Sequence, residues 1–463
     1  MLRFLPRLQE IVTVALPFES IRERLAGWMT QPLAAGMVSD GGALGRYSYL
    51  MTAPDAHAVL DYDDPYEVAD ILAQATAFVN PADRVVGLPP FTGGLVGLAS
   101  FELGLRLERM KRRPFRIEGR SAWPELVVMR FPAVLAFDHH AGTLSAIGRG
   151  ETHAAATAAV EAIVAAWQGT AVVELPTGLM DEALRLEATD QVHEDKVAAL
   201  VRQIHAGDLF QANLARGWTG LLRAGVEPGH VMQALQAAGA APFGGFVCLR
   251  NRAVVSNSPE RFIRMDGDGA METRPIKGTR PRGVTVAEDE ALGVELLASA
   301  KDQAENLMIV DLMRHDLSKV AQVGSVAVTA LHALESYPNV HHLVSTVAGQ
   351  LVKGKTAADV LCATFPPGSI SGAPKVQAMK VISEMEAARG PYCGSLFFID
   401  AGGAMDSNVL IRTLACERDE GGRWHVRVAA GGGIVADSEP VAERIETETK
   451  LSLIRKVLTG VVE

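Results

Sequence analysis

Cysteine is scarce in this sequence, and its few cysteines are scattered. Cys248, Cys362, Cys393 and Cys416 form no Cys-x-x-Cys pair. This spacing indicates neither a disulfide framework nor a structural zinc site. The sequence therefore predicts a protein of a reducing compartment, the cytoplasm.

Long apolar runs and an excess of basic residues are also lacking. No uncharged apolar stretch is long enough to cross a membrane, and Glu10 interrupts the apolar N-terminal stretch, which makes it a poor signal peptide. The chain has 44 Lys and Arg residues against 54 Asp and Glu residues, a net charge of -10. These counts argue against a membrane or a nucleic acid as a partner. They allow an acidic small molecule, because a local basic pocket can exist on an acidic surface.

What the chain does contain is enough apolar sequence for a large core. With 463 residues, 48% of them hydrophobic, it is expected to form two subdomains or one large multilayer domain. Residues 1–175 form an N-terminal region and residues 188–463 a second region, joined by a connector near residues 170–188. Periodicity predicts helices over "AATAAVEAIVAAW" and over "HEDKVAALVRQIHAGD", the latter ending at Gly207. A metabolic enzyme is the leading class.

The segment "RPIKGTRPRG" places Lys277 in a strand-like run that ends in a loop rich in Gly and Pro. The upstream "DGDG" is typical of a hairpin turn. If it closes as a four-residue loop, Met265 pairs with Ala270. Glu260 and Lys277 then lie on one face as diagonal neighbours, within reach of one small ligand. The alternative is a surface Glu–Lys pair, and a slip of one residue in register would separate the two side chains.

Two predicted helices each carry a pair of carboxylates at i, i+3 spacing. The pairs are Asp302 and Glu305 in "AKDQAENLMIVDLMRHDLSKV", and Glu443 and Glu446 in "SEPVAERIETETKLSLIRKVL". The second helix is expected to have Ser438 as its N-cap. Two such pairs brought face to face would repel unless a cation lay between them, and a hard, oxygen-preferring Mg²⁺ suits them. The alternative for either helix alone is a solvated acidic face.

Small residues and one arginine mark candidate anion sites. "FPPGSISGAPK" leads into a helix with Pro374 in its first turn, and the free N–H groups of such a helix end attract anions. "VRVAAGGGIVADS" is a strand followed by Gly431, Gly432 and Gly433, whose N–H groups could converge on a carboxylate; a bulge or tight turn is the alternative. Arg412, in an apolar strand-like run, is either exposed or a carboxylate clamp.

Taken together, these segments resemble the chorismate-utilising enzymes, a family that includes anthranilate, isochorismate, salicylate and aminodeoxychorismate synthases. The matching blocks, from about residue 190 to the end, are "GDLFQANLAR", "SNSPERF", "TRPIKGT", "AENLMIVDLMRHDL", "HHLVST", "PGSISGAPK", "IRTLA", "AGGGIVADS" and "ERIETETK". The N-terminal third resembles the family more loosely, through "GGLVGLASFELG". The resemblance implies an α/β fold of two orthogonally packed, mainly antiparallel sheets flanked by helices.

The resemblance also implies a role for each matching residue. Glu305 and Glu446 would bind Mg²⁺, and Asp302 and Glu443 would support the ion through water. Glu260 matches the general acid. The residues that match substrate-binding positions are Arg412, Tyr392, Gly431, Gly432, Gly433, Lys450, Thr279 and His342.

Two positions separate the reactions of the family. Anthranilate synthases carry alanine where this sequence has Lys277, and isochorismate and salicylate synthases carry a water-activating lysine where it has Gln211. The combination here resembles the enzymes that convert chorismate and ammonia to 4-amino-4-deoxychorismate, with a separate glutaminase subunit as the ammonia source. Anthranilate formation and a non-catalytic chorismate- or tryptophan-binding homologue are the alternatives. "LPFES" only partly matches the tryptophan pocket of some relatives.

Overall fold

Two antiparallel β-sheets with flanking helices make up the chain, in a computed structural model that describes residues 6–337 and 340–460. The strands are β1 (Glu10–Leu16), β2 (Ala35–Val38), β3 (Tyr47–Met51), β4 (Ala56–Leu60), β5 (Gly94–Ala99), β6 (Leu126–Phe131), β7 (Ala133–Asp138), β8 (Thr143–Gly150), β9 (Arg185–Leu186), β10 (Gln211–Leu221), β11 (Gly244–Cys248), β12 (Arg252–Ser256), β13 (Arg261–Met265), β14 (Ala270–Thr273), β15 (Ile276–Pro281), β16 (Ala327–Ser336), β17 (Val340–Gln350), β18 (Gly372–Ala373), β19 (Ser395–Asp400), β20 (Met405–Asn408), β21 (Thr413–Arg418) and β22 (Trp424–Ile434). The helices are α1 (Leu25–Trp28), α2 (Val68–Ala75), α3 (Glu102–Leu107), α4 (His153–Gln168), α5 (Asp190–His205), α6 (Pro228–Gly239), α7 (Val286–Ala298), α8 (Ala300–Ser318), α9 (Ala357–Thr364), α10 (Lys375–Met385) and α11 (Pro440–Thr459).

The order of the strands mixes distant parts of the chain. The first sheet runs β1-β8-β7-β3-β2-β11-β12-β21-β22-β10-β18, with β9 also beside β10. The second runs β15-β17-β14-β13-β20-β19-β5-β6-β4, with β16 also beside β17. The expected pair of mainly antiparallel sheets with helices is confirmed. None of the described helices is long and apolar enough to span a membrane.

Both sheets combine strands from the two regions defined in the sequence. In the first sheet β2 pairs with β11, and in the second β5 pairs with β19. Between residues 170 and 188 the chain forms only the short β9. The division into residues 1–175 and 188–463 stays a prediction, and within the described residues neither region has a sheet to itself.

The helices follow their sequence patterns closely. Both α4 and α5 form where periodicity places them, and α5 ends before Gly207, which has φ +87°. The prediction that Ser438 caps α11 is wrong by one residue, because Glu439 occupies that position. The Ser438 hydroxyl instead donates to Glu443 Oε1 at 2.6 Å and accepts from the Val435 N–H at 3.1 Å. This serine therefore fixes a side chain of the first helical turn.

The register predicted for the hairpin before Lys277 is wrong. Met265 pairs with Met271 rather than with Ala270. The reason is that the Asp266 N–H donates to Ala270 O at 2.8 Å, which shortens the loop by one residue. Because successive side chains of a strand point to opposite faces, this shift of one residue would by itself turn Lys277 away from Glu260.

A β-bulge restores the orientation of Lys277. Strands β14 and β15 both run along β17, and the register changes between Ile276 and Thr279. Gly278, inside this bulge, has φ +81°, a left-handed conformation that glycine adopts far more readily than other residues. A bulge bends its strand and redirects the neighbouring side chains, and here it directs Lys277 toward β22.

Three other local predictions are corrected by the structure. The three glycines 431–433 lie inside β22 rather than after it. Arg412 lies at a bend between β20 and β21, with φ +50°, rather than in a strand. Pro374 is the N-cap of α10 rather than a residue of its first turn.

Candidate active site

Lys277 and Gln211 meet at Gly433, near the end of β22. A Cβ atom on Gly433 would lie 2.6 Å from Gln211 Nε2 and 3.1 Å from Lys277 Nζ. Gln211 begins β10, which pairs directly with β22. The glycine therefore leaves the space in which the amine and the amide lie, and a larger residue would displace one of them.

The half-buried amine of Lys277 is surrounded by charges of both signs. Burial lowers the pKa of Lys277, Glu305 opposes this shift, and Lys450 adds to it. The net lowering increases the fraction of neutral amine at a given pH. A neutral amine is what nucleophilic attack by a lysine requires.

Glu260 lies immediately before β13 and is buried. Its carbonyl accepts the Val409 N–H at 3.0 Å, which ties the backbone to the residue that follows β20. Burial raises the pKa of Glu260, while a hydrogen bond from Ser369 and the charge of Lys277 oppose the rise. A carboxyl group with a raised pKa holds its proton longer, as a general acid must. Glu260 and Lys277 are close enough to shift each other's pKa.

Two glutamates of α11 point at the neighbouring glycine of β22. A Cβ atom on Gly432 would lie 2.9 Å from Glu443 Oε2 and 3.3 Å from Glu446 Oε1. Burial raises the pKa of Glu443. Burial has the same tendency at Glu446, but Lys450 outweighs it and the pKa of Glu446 is lowered. Glu446 is thus held as a carboxylate at the half-exposed entrance of the site.

The carboxylates of α8 face this pair. Glu305 is partly buried, burial raises its pKa, and the charge of Glu446 contributes to the rise. Lys301 Nζ lies 4.0 Å from Glu305 Oε1, and Lys450 Nζ lies 2.6 Å from Glu446 Oε1. Lys301 and Lys450 therefore balance the negative charge of Glu305 and Glu446, and a metal ion would have to displace them.

The donor set fits Mg²⁺ through two carboxylates rather than four. Asp302 Oδ2 already accepts a hydrogen bond from Arg280 Nη2 at 3.2 Å. Within residues 6–337 and 340–460, no three His, Cys, Asp or Glu side chains are grouped closely enough to hold a metal ion together. Mg²⁺ usually keeps several waters and uses one or two carboxylates plus the substrate. Glu305 and Glu446 satisfy that requirement.

Arg412 and His342 lie close enough to interact, and His342 also contacts Thr279. Arg412 is partly buried, and its guanidinium makes no hydrogen bond or ion pair to any other part of the chain that the structure describes. Burial lowers the pKa of His342 to about 4, and the charge of Arg412 contributes. Thr279 Oγ1 lies 2.9 Å from His342 Nδ1, which holds the ring in place. A buried guanidinium without an acidic partner is suited to a ligand carboxylate.

The remaining predicted residues lie at the edges of this arrangement. Lys450 Nζ donates to Gly431 O at 2.8 Å as well as pairing with Glu446. Tyr392 is buried, with the guanidinium carbon of Arg389 5.9 Å from its ring centroid, and burial raises its pKa well above the usual value. Its role in substrate binding stays a prediction.

Sequence reasoning missed two contacts, and it named Gln211 only as the position where other members of the family carry a lysine. Ser369 hydrogen-bonds Glu260, and Arg280 holds Asp302. Gln211 is fully buried, and neither polar atom of its amide has a hydrogen-bond partner among the residues that the structure describes. A glutamine at the start of a buried strand was a usable signal for Gln211, because a buried amide requires partners. No sequence pattern marks the contacts of Ser369 and Arg280.

Two cavities of about 390 Å³ each lie outside this site. One lies between the sheets, lined by β2 and β3 on one side and by β13 and β20 on the other. The second lies beside α3 and α10. Residues 16–20, "LPFES", are not among the residues that line either cavity.

Several known proteins are similar to this chain in sequence and in fold. The profile of the family described as chorismate binding enzyme matches residues 38–456. The chain is 40% identical over 368 residues to aminodeoxychorismate synthase component 1 of Klebsiella aerogenes, covering 79% of this chain and 77% of that protein. It is 36% identical over 381 residues to anthranilate synthase component 1 of Thermus thermophilus, covering 82% and 80%. The crystal structure of anthranilate synthase component I from Streptococcus pneumoniae superposes with a TM-score of 0.76 at 26% identity, covering 88% of this chain and 92% of that chain.

Proposed function

Because the chain belongs to the chorismate-binding enzyme family, we propose that it converts chorismate and ammonia to 4-amino-4-deoxychorismate, the precursor of 4-aminobenzoate and folate. The observation that carries the proposal is the amine of Lys277, whose pKa is lowered by burial and which lies beside the general-acid candidate Glu260. The similarity to aminodeoxychorismate synthase component 1 supports it. The enzyme would be Mg²⁺-dependent, act in the cytoplasm and receive ammonia from a separate glutamine amidotransferase.

The reaction needs an acid because hydroxide is a poor leaving group. Glu260 would donate its proton to the ring hydroxyl, which leaves as water. Lys277 Nζ would form a bond to the ring carbon beside the carboxylate-bearing carbon, while the ring double bonds shift toward the carbon that the hydroxyl leaves. Ammonia would then attack at the position of the lost hydroxyl, the double bonds would shift back, and the bond to Lys277 would break. The lysine thus directs the nitrogen to the position of the lost hydroxyl.

The remaining residues would bind and orient the substrate. Arg412 would take one carboxylate, and the N–H groups along glycines 431–433 with Lys450 would take the other. Bound through Glu305 and Glu446, Mg²⁺ would neutralise the ring carboxylate and withdraw electron density from the ring. The half-exposed Glu446 and Lys450 mark the side from which substrate enters.

Anthranilate formation is the second candidate, because anthranilate synthases are among the similar proteins. The deciding experiment incubates the purified chain with chorismate, Mg²⁺ and an ammonium salt and identifies the products by mass spectrometry. We expect 4-amino-4-deoxychorismate, which keeps the enolpyruvyl group that anthranilate has lost. Anthranilate as the main product would overturn the proposal, and binding of chorismate without turnover would indicate a non-catalytic homologue.

The nitrogen source gives a separate prediction. The sequence has no Gly-x-Cys-x-Gly block of a glutaminase nucleophile, and Cys393 lies in "PYCGSLFF". Burial raises the pKa of the Cys393 thiol to about 12, so it is not a reactive thiolate. The chain should use ammonium salts but not glutamine until a glutaminase subunit is added. Release of glutamate from glutamine by the chain alone would contradict this.

The metal assignment predicts the effect of two neutral substitutions. Glu305→Gln and Glu446→Gln should each lower kcat/KM at limiting Mg²⁺ by about 10²-fold or more, because each removes a charged ligand worth several kcal/mol. The fold should remain, since both changes keep the side-chain volume and reduce repulsion. Glu290→Gln, on the exposed face of α7, is the matched control. The Mg²⁺ affinity measured by calorimetry and the Mg²⁺ dependence of the rate should both shift. Unchanged curves in the two variants would refute the assignment.

A further inference from the structure

The cavity beside α3 and α10 has the size and lining of a ligand site. Its volume of about 390 Å³ lies within the range of small-molecule pockets. Apolar walls come from Phe101, Leu105, Met110 and Ile382. None of the residues assigned above to substrate or metal lines it. We call it the α3–α10 cavity.

The rim of the α3–α10 cavity carries unpaired positive charge. Lys111, Arg113 and Lys380 line it and are exposed, and none has an ion pair or a side-chain hydrogen bond within the described residues. Arg112 differs, because its Nε donates to Glu125 Oε1 at 2.6 Å. Among the described residues of the lining, Glu384 is the one exposed acid, so three free cations outnumber it. On a chain of net charge -10, this local excess favours an anion.

The buried charged groups at the floor of the cavity already have hydrogen-bond partners within the chain. Glu102 is buried and accepts the N–H groups of Arg389 and Gly390 at 2.7 and 3.0 Å. Arg389 donates from Nε and Nη2 to the two oxygens of Glu386, at 2.9 and 3.0 Å. A ligand would therefore find its charged partners at the rim and its apolar contacts on the walls.

The same floor holds two segments of the candidate active site. Arg389 donates from Nη1 to Ile370 O at 3.1 Å and from Nη2 to Asn213 O at 2.6 Å. Ile370 follows Ser369, which hydrogen-bonds Glu260. Asn213 lies two residues after Gln211 in β10. A shift of Arg389 would therefore move both the segment that contains Ser369 and the part of β10 that contains Gln211.

We propose that the α3–α10 cavity binds a small organic anion with an apolar body, held by Lys111, Arg113 and Lys380, and that Arg389 transmits its binding to the candidate active site. The anionic group pairs with the rim cations, and the apolar body fills the space between Phe101 and Ile382. This inference does not depend on the product of the reaction.

The test uses 1-naphthoate as the probe and its neutral isostere 1-naphthamide as the comparison, both measured by calorimetry. The wild-type chain should bind naphthoate, and the double variant Arg113→Gln/Lys380→Gln should bind it about ten-fold more weakly, since each exposed ion pair contributes only modestly. Lys353 is an exposed lysine distant in sequence, without an ion pair to the residues that the structure describes, and the Lys353→Gln variant should bind like wild type. Higher salt should weaken naphthoate binding.

Arg412→Ala separates this cavity from the candidate active site. Naphthoate binding should survive Arg412→Ala and weaken in the double variant. Binding lost in Arg412→Ala but kept in the double variant, equal affinity for naphthamide, or no binding at millimolar naphthoate would each overturn the proposed site.

Hydrogen exchange tests the coupling. Naphthoate should slow amide exchange in residues 211–215 and 368–371 of the wild-type chain and have little effect in the Arg113→Gln/Lys380→Gln variant. Unchanged exchange in these segments, with naphthoate bound, would overturn the role of Arg389 in transmitting the binding.

Discussion

Lys277→Ala is expected to lower the formation of 4-amino-4-deoxychorismate on the order of 10³-fold or more, as removal of a covalent nucleophile does. The fold should persist, because the Lys277 side chain makes no hydrogen bond or ion pair of its own within the described residues. Chorismate and Mg²⁺ binding should also persist, since Arg412 and Glu305 are untouched. With the ring carbon free, residual amination should shift toward anthranilate.

Lys277→Arg distinguishes nucleophilic attack from simple charge pairing. A guanidinium stays protonated and cannot add to the ring, so this variant should be as inactive as Lys277→Ala. Wild-type enzyme trapped during turnover should carry chorismate less water on the peptide that contains "RPIKGT". Absence of the adduct, together with an arginine variant altered only in KM, would show that Lys277 acts by charge alone.

Glu260→Gln is expected to lower kcat by about 10²- to 10⁴-fold, the usual contribution of a positioned general acid. An amide keeps the shape of the carboxyl group but has no acidic proton to give. Measurement of kcat with chorismate and ammonium checks this, with Glu290→Gln as the exposed control. A variant that keeps more than a tenth of the wild-type rate would remove Glu260 from this role.

The kcat/KM of the wild-type enzyme should fall both at low pH and at high pH. Protonated Lys277 cannot attack, so kcat/KM should fall as pH drops through its lowered pKa. Ionised Glu260 cannot donate, so kcat/KM should also fall as pH rises through its raised pKa. Because the two groups interact, the measured values belong to the pair. In Glu260→Gln the alkaline limb should be lost while the acid limb remains.

Much of the fold could be predicted because it depends on local periodicity. The helices α5, α8 and α11 show their apolar and capping patterns over several turns, and α11 was misplaced only at its cap. The carboxylates of α8 and α11 could be named for the same reason. Their actual partners could not, because the contact of Arg280 with Asp302 joins elements that are neighbours only after folding.

The hairpin before Lys277 shows why register was the weak point. One backbone hydrogen bond, from Asp266 to Ala270, moves the pairing by one residue. Neither that bond nor the later bulge at Gly278 can be derived from alternation of side chains. The two deviations offset each other, so the amine reaches the site although the predicted register does not occur.

Because of the bulge at Lys277 and Gly278, the number of residues in this strand decides whether the amine reaches the site. Deleting one residue between Ile276 and Thr279 would leave the ladder with β17 regular and every other side chain of the strand in place. The amine would then emerge on the opposite face of the sheet. An enzyme with this strand could therefore lose or regain its nucleophile through a single-codon deletion or insertion, without replacing the lysine itself.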